Sequence, residues 1–188
     1  SNEFEEANWI IQDLNRRHRQ GAAWAEHMVL LRSGFSGRYL EGALIAANIP
    51  YRFIGGVKLL ESAHVKDVLS LLRVSVNPQD DLAWMRFLTL WDGVGDVGAS
   101  KLAQELIQLP DIEARCQRVE RHGKVPQQAI LILMQLDVLQ QHVEACIALA
   151  LDALNEQLEN NYKTKDWSRR VKDFDLVKQL ARKHSSLG

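Results

Sequence analysis

The chain has 188 residues, 46% of them hydrophobic and 25% charged, an ordinary globular composition with length for one or two cores, which argues against disorder and against a membrane protein. Lys plus Arg number 23 against 24 Asp plus Glu, a formal net charge of −1, so no long-range field gathers a polyanion and any nucleic-acid site has to be local. The start at Ser1-Asn2-Glu3 has neither an initiator Met nor a basic-then-apolar leader, and no run of about 18 uncharged apolar residues occurs, so the chain reads as a piece cut from a soluble protein.

Residues 4–20 place Phe4, Ala7, Ile10, Ile11 and Leu14 on one helix face, with acids early, Arg16, Arg17 and Arg19 late, and Gly21 as the stop. The run His27-Met28-Val29-Leu30-Leu31 is too short for a helix and predicts a mostly buried strand ended by Ser33-Gly34. From Ser36 to Asn48 the positions Leu40, Ala43, Leu44 and Ala47 return to helical spacing, closed by Pro50. Tyr51-Arg52-Phe53-Ile54 then predicts a second strand, ended by Gly55-Gly56. Two strands joined by a helix form a βαβ unit, which needs a larger parallel sheet than this chain supplies.

After Gly56 the pattern turns to helix upon helix. Residues 61–76 carry Val65, Val68, Leu69, Leu72 and Val76 on one face; Asn77-Pro78 interrupts; residues 80–90 resume with Leu82, Met85, Phe87 and Leu88. Three further helical stretches are expected over 99–109, 127–158 and about 166–184, the second long and apolar enough to be central to a bundle. The fold class expected is therefore mainly α, a helical bundle preceded by a small α/β remnant, divided into residues 1–56 and 57–188.

One local motif carries chemistry. Gly93-Val94-Gly95, followed by Asp96-Val97-Gly98-Ala99 and Leu102, fits the GhG-xxx-A-xx-h spacing of a helix-hairpin-helix. Two glycines let such a turn lie against a phosphodiester backbone with main-chain N–H groups aimed at phosphate, and Ala99 lets the two helices pack closely. Lys101 would favour a phosphate there, and Asp92 and Asp96 would oppose it. An ordinary helix–helix connection containing glycines is the alternative. Arg32, at the exit of the first predicted strand, stands where open α/β layers bind ligands, and a guanidinium is the usual partner of a transferring phosphate; a solvated surface arginine is its alternative. Residues 163–183 hold eight Lys/Arg against three Asp, either a solvated helix face or a phosphate-tracking patch. Cys116 and Cys146, without a CxxC or a neighbouring histidine pair, read as buried thiols of a reducing, cytoplasmic compartment. The chain contains no GxxxxGK[ST], HExxH or GxSxG and no Cys/His/Asp cluster at metal-ligand spacing, so no metal site and no self-sufficient active site is expected.

Residues 26–95 resemble the UvrD/Rep-type superfamily 1 DNA helicases, over the stretch from helicase motif IV into the inserted 2B subdomain. The likeness is carried by Arg32, Arg38-Tyr39-Leu40-Glu41 with Ala43-Leu44, Asn48-Ile49-Pro50-Tyr51, Gly55-Gly56, Val65-Lys66-Asp67, Leu71-Leu72-Arg73, Asn77-Pro78 with Asp80-Asp81, Arg86 and Gly93-Val94-Gly95. Glu5-Glu6-Ala7 and Asp166-Trp167-Ser168-Arg169-Arg170 are similar as well, whereas 104–160 matches only as generic helix.

The resemblance implies a fragment of an ATP-dependent 3′-to-5′ DNA helicase, with 1–56 part of the RecA-like 2A domain and 57–188 the helical 2B subdomain. Arg32 would be the arginine finger that reaches the γ-phosphate. Leu31 stands where relatives commonly have an adenine-stacking tyrosine. The turn Gly93-Val94-Gly95, with Lys101, would contact the DNA backbone of the duplex ahead of the fork; relatives commonly precede it with Pro-Arg or Pro-Lys, where this chain has Trp91-Asp92. ATP and Mg²⁺ would serve the full-length protein, with the Walker A loop, the DExx box and motif III upstream and motifs V and VI downstream, so the fragment alone would not hydrolyse ATP. DNA is the expected partner and a membrane is not. The alternative is a non-enzymatic helix-hairpin-helix module that binds DNA or protein.

Overall fold

Polar residues written into the sequence set several of the helix starts. In a computed structural model, which describes residues 2–182 apart from 33, 35–36, 55, 57, 140–141 and 164–165, helix α1 (Glu3–Arg19) opens with a capping box. The Asn2 side chain accepts the Glu5 N–H at 2.8 Å and the Glu5 carboxylate accepts the Asn2 N–H at 3.3 Å. Asp80 caps α4 (Asp81–Leu88) through the Ala83 N–H, and Asp111 caps α6 (Ile112–His122) through the Ala114 N–H. The other helices are α2 (Arg38–Ala46), α3 (Ala63–Val76), α5 (Asp96–Leu106), α7 (Gln127–Leu139), α8 (Val143–Tyr162) and α9 (Trp167–Ala181). Ser33, Ser36, Gly55, Lys165, Lys183 and His184, which entered the readings above, lie outside the described residues.

The main core runs from Leu59 to Ala181 and is built by α3 to α9 around Leu71, Trp84, Phe87, Leu102, Leu133, Leu136 and Leu154. Helices α3 and α8 each pack on α7 and α9 and on each other, α4 packs on α3, and α5 packs on α4 and α6. Helix α1 lies on α2, and α2 lies on α9. A buried polar cluster clips these parts together. The Glu41 carboxylate, 1% exposed, accepts the Leu59 N–H at 2.8 Å and the Tyr51 hydroxyl at 2.9 Å, with the Arg38 guanidinium 3.3 Å away. Arg38 also donates to Ser62 at 2.7 Å and lies 3.6 Å from Asp173 of α9. His64 of α3 bonds to Asp173 through Nε2 at 3.0 Å while Arg170 donates to its Nδ1 at 2.8 Å; because guanidinium has no acceptor, Nε2 carries the proton.

Three expectations are corrected. Residues 27–31 and 51–54 have no regular secondary structure, and no strand occurs among the described residues. Met28 and Leu30 are 82% and 88% exposed and Ile54 80%, so the βαβ reading and its buried strands fail. A strand is completed by ladder partners, and an apolar run carries no information on whether its partners are present. The stretch 127–158 is two helices, with α7 ending at Leu139 and α8 beginning at Val143. These two helices pack against each other, so both have apolar faces, and periodicity alone does not register the non-helical His142 that precedes α8. Helix α6 was not anticipated. It buries only Arg115, Cys116 and Val119 in its 11 residues, a stripe too narrow to register against its many charges.

Candidate nucleic-acid interface

The connection between α4 and α5 is a tight turn with its apolar side inward. Leu90 and Trp91 donate their N–H groups to Phe87 and Leu88 at 3.4 Å, and the Val94 N–H closes the turn on the Trp91 carbonyl at 3.1 Å. Gly93 sits at φ +81°, the left-handed region where a Cβ is strained. Leu90, Trp91 and Val94 are buried, with Trp91 set edge-on to Phe87 at 6.0 Å between ring centroids. Asp92, Gly93, Gly95, Asp96, Val97 and Gly98 face outward.

Gly95 is the N-cap of α5, and no side chain caps that end. The N–H groups of the first α5 turn therefore lack the intrahelical partners that later residues have, at an end where the helix dipole is positive. A Cβ on Gly95 or Gly98 would meet no atom within 4 Å, so open space adjoins these donors. Ala99 and Leu102 are buried between α5 and its neighbours. Lys101 is exposed one turn into α5. The sequence motif thus becomes a surface with backbone outward and apolar side chains inward.

Two features of this surface had no sequence signal. From α8, Gln157 Nε2 donates to the Leu90 carbonyl at 2.7 Å and Asn161 Nδ2 at 3.3 Å, tying the turn to the core. From the connection between α6 and α7, the Lys124 side chain lies along Gly93. Both are contacts between residues far apart in sequence, and neither residue type marks them.

Leu31 and Arg32 stand elsewhere, at the entry to α2. Arg32 is exposed. The Leu31 side chain packs over Gly37, where an added Cβ would collide with Leu31 Cδ1 and come within 3.3 Å of the Phe53 ring. Helix α2 rests on α1 and α9 whereas α5 rests on α4 and α6, so the arginine and the hairpin occupy separate places in the fold. One exposed guanidinium beside an exposed aliphatic side chain can form one wall of a nucleotide site, but not the whole of it. Among the described residues no group of three or more His, Cys, Asp or Glu could hold a metal ion. No described helix is long and apolar enough to cross a membrane.

The family model of the UvrD-like helicase C-terminal domain matches residues 1–115. The chain belongs to that family. Among its relatives, DNA helicase II of Escherichia coli K12 is 40% identical over 96 residues, covering 50% of this chain and 13% of that protein. The ATP-dependent DNA helicase PcrA of Staphylococcus epidermidis RP62A is 30% identical over 133 residues, 68% of this chain and 18% of the relative. The chain thus spans less than a fifth of the length of these helicases. In this UvrD-like chain the sequence blocks that carry the likeness also touch one another. Glu41 accepts from both Arg38 and Tyr51; Arg86 donates to Asp67 at 2.8 Å; Arg73 donates to Asp80 at 2.5 Å.

Proposed function

We propose that this UvrD-like chain is part of an ATP-dependent 3′-to-5′ DNA helicase, with residues 1–56 belonging to the 2A domain and 57–188 forming the 2B subdomain. The observation that carries this reading is the family match over residues 1–115, and the start of the main core at Leu59 supports the division. Arg32 acts as the arginine finger: its guanidinium neutralises charge that develops on the transferred phosphoryl. Leu31 covers one face of the adenine. The turn Gly93-Val94-Gly95, with Lys101, rests on the backbone of duplex DNA, reading shape and charge rather than sequence. ATP and Mg²⁺ are bound by the complete helicase, since these 188 residues contain no phosphate loop.

Strand separation by the complete protein tests the reading. With ATP and Mg²⁺ it is expected to unwind a duplex carrying a 3′ single-stranded tail, and the Arg32→Ala protein is expected to bind the same DNA without unwinding it. Absence of ATP-dependent unwinding by the wild type would contradict the proposal and favour a non-enzymatic binding module.

A further inference from the structure

The hairpin as the sequence presents it is electrostatically poor. Two exposed carboxylates, Asp92 and Asp96, flank the glycines, against one ammonium, Lys101. Asp96 also sits in the first turn of α5, where its charge offsets the helix dipole that an incoming phosphate would use. A turn of that balance repels a polyanion.

Lys124 alters the balance from outside the motif. Helix α6 ends at Gly123, whose φ of +72° reverses the chain. Val125, two residues on, is buried in the core. Lys124 is held between these two points and its side chain runs across the hairpin. A Cβ on Gly93 would lie 3.6 Å from its Cδ, Cε and Nζ, ordinary van der Waals contact. The exposed ammonium is thereby brought to the outward backbone of the turn, next to the residue that this chain has as an acid, Asp92.

We propose that Lys124 is a phosphate-contacting residue of the hairpin site, a cation supplied by the α6–α7 connection where the turn itself supplies an acid. This rests on the reading of the hairpin as a duplex-binding surface. The ligand is the phosphodiester backbone of double-stranded DNA, and the contact is an ammonium–phosphate pair that releases counterions on binding.

The test uses the 188-residue chain and a fluorescein-labelled blunt 16-base-pair duplex, with affinity measured between 20 and 150 mM salt for wild type, Lys124→Gln, Lys124→Arg and Gly95→Val. Lys124→Gln is expected to bind more weakly at low salt, with the slope of log K against log salt shallower by about 0.9, and Lys124→Arg to keep the wild-type slope. Circular dichroism of the exposed-site variants is expected to match wild type. An unchanged slope for Lys124→Gln while Gly95→Val weakens binding would overturn the role of Lys124 and leave the hairpin reading standing. No duplex binding by the wild type, or no effect of either Gly95→Val or Lys124→Gln, would overturn both.

Discussion

The side-chain amide of Gln157, deep in α8, donates to the main-chain carbonyl of Leu90 at 2.7 Å, and so fixes the turn between α4 and α5 to the bundle. Asn161, one helical turn further on, reaches the same oxygen at 3.3 Å. The hairpin is positioned by side chains that it does not contain.

Removing both amides, Gln157→Ala with Asn161→Ala, leaves that carbonyl without its side-chain donors and is expected to cost about 1–3 kcal/mol of stability. Urea denaturation checks this. Duplex binding should weaken in the same variant because the turn is no longer held in place. A loss under about 0.5 kcal/mol would mean that water replaces the amides freely.

Glu41 gathers three donors, the Leu59 N–H, the Tyr51 hydroxyl and Arg38, at a nearly inaccessible site. Glu41→Ala leaves the Leu59 N–H and the Tyr51 hydroxyl without this acceptor and removes one of the partners of Arg38, and is expected to destabilise by about 3–5 kcal/mol. Burial, followed by the bond to Glu41, pushes the Tyr51 hydroxyl well above its ordinary range. Tyr51 therefore stays a neutral donor in the native protein, and ultraviolet titration should show its ionisation only when the chain unfolds at alkaline pH.

Cys116 and Cys146 are buried free thiols. Burial raises both, Cys116 from 9.0 to about 11. The folded value lies above the unfolded one, so the stability this group contributes is complete below pH 9 and is lost as pH climbs towards 11. At pH 8 Ellman's reagent should find no reactive thiol in the native chain and two in urea. Rapid native labelling would contradict the assignment of both as inert core residues.

Much of the fold was legible where short-range chemistry decides it. Gly21 was readable as the stop of α1, a matter of backbone conformation, whereas the caps at Asn2 and Asp80 were not read from the sequence and appear only in the structure. The blocks of family resemblance were legible as motifs, and the structure shows Glu41 bonded to Arg38 and Tyr51, and Asp67 bonded to Arg86. The break between Leu139 and Val143 was invisible because both flanking helices have apolar faces. Segments 27–31 and 51–54 misled because their apolar character speaks of partners that a sequence does not locate. Lys124 beside Gly93, and Gln157 beneath Leu90, depend on how distant helices meet, which no local pattern encodes.

If the proposed role of Arg32 holds, Arg32→Ala in the complete protein should lower ATP turnover by about 10³–10⁵ while nucleotide binding changes little, since an arginine finger acts chiefly on charge present in the transition state. Steady-state phosphate release with single-stranded DNA checks it. A fall of less than about tenfold would make Arg32 an ordinary surface arginine. The 188-residue chain alone should release no phosphate.

The two hairpin glycines separate folding from function. Gly93, at φ +81°, is required by the chain itself, and Gly93→Ala should cost about 1–2 kcal/mol in stability. Gly95 has φ −84° and open space around it, so the folded chain does not demand a glycine there; on the proposed reading an approaching DNA backbone would. The most direct measurement is therefore a titration of labelled duplex, at two or more salt concentrations, with wild type, Gly95→Val and Asp92→Arg. The account predicts weak wild-type binding, micromolar or weaker, that falls with salt, further weakening in Gly95→Val without loss of fold, and tighter binding with a steeper salt slope in Asp92→Arg. Affinity unchanged in both variants would contradict it: the turn would then join two helices and touch no DNA.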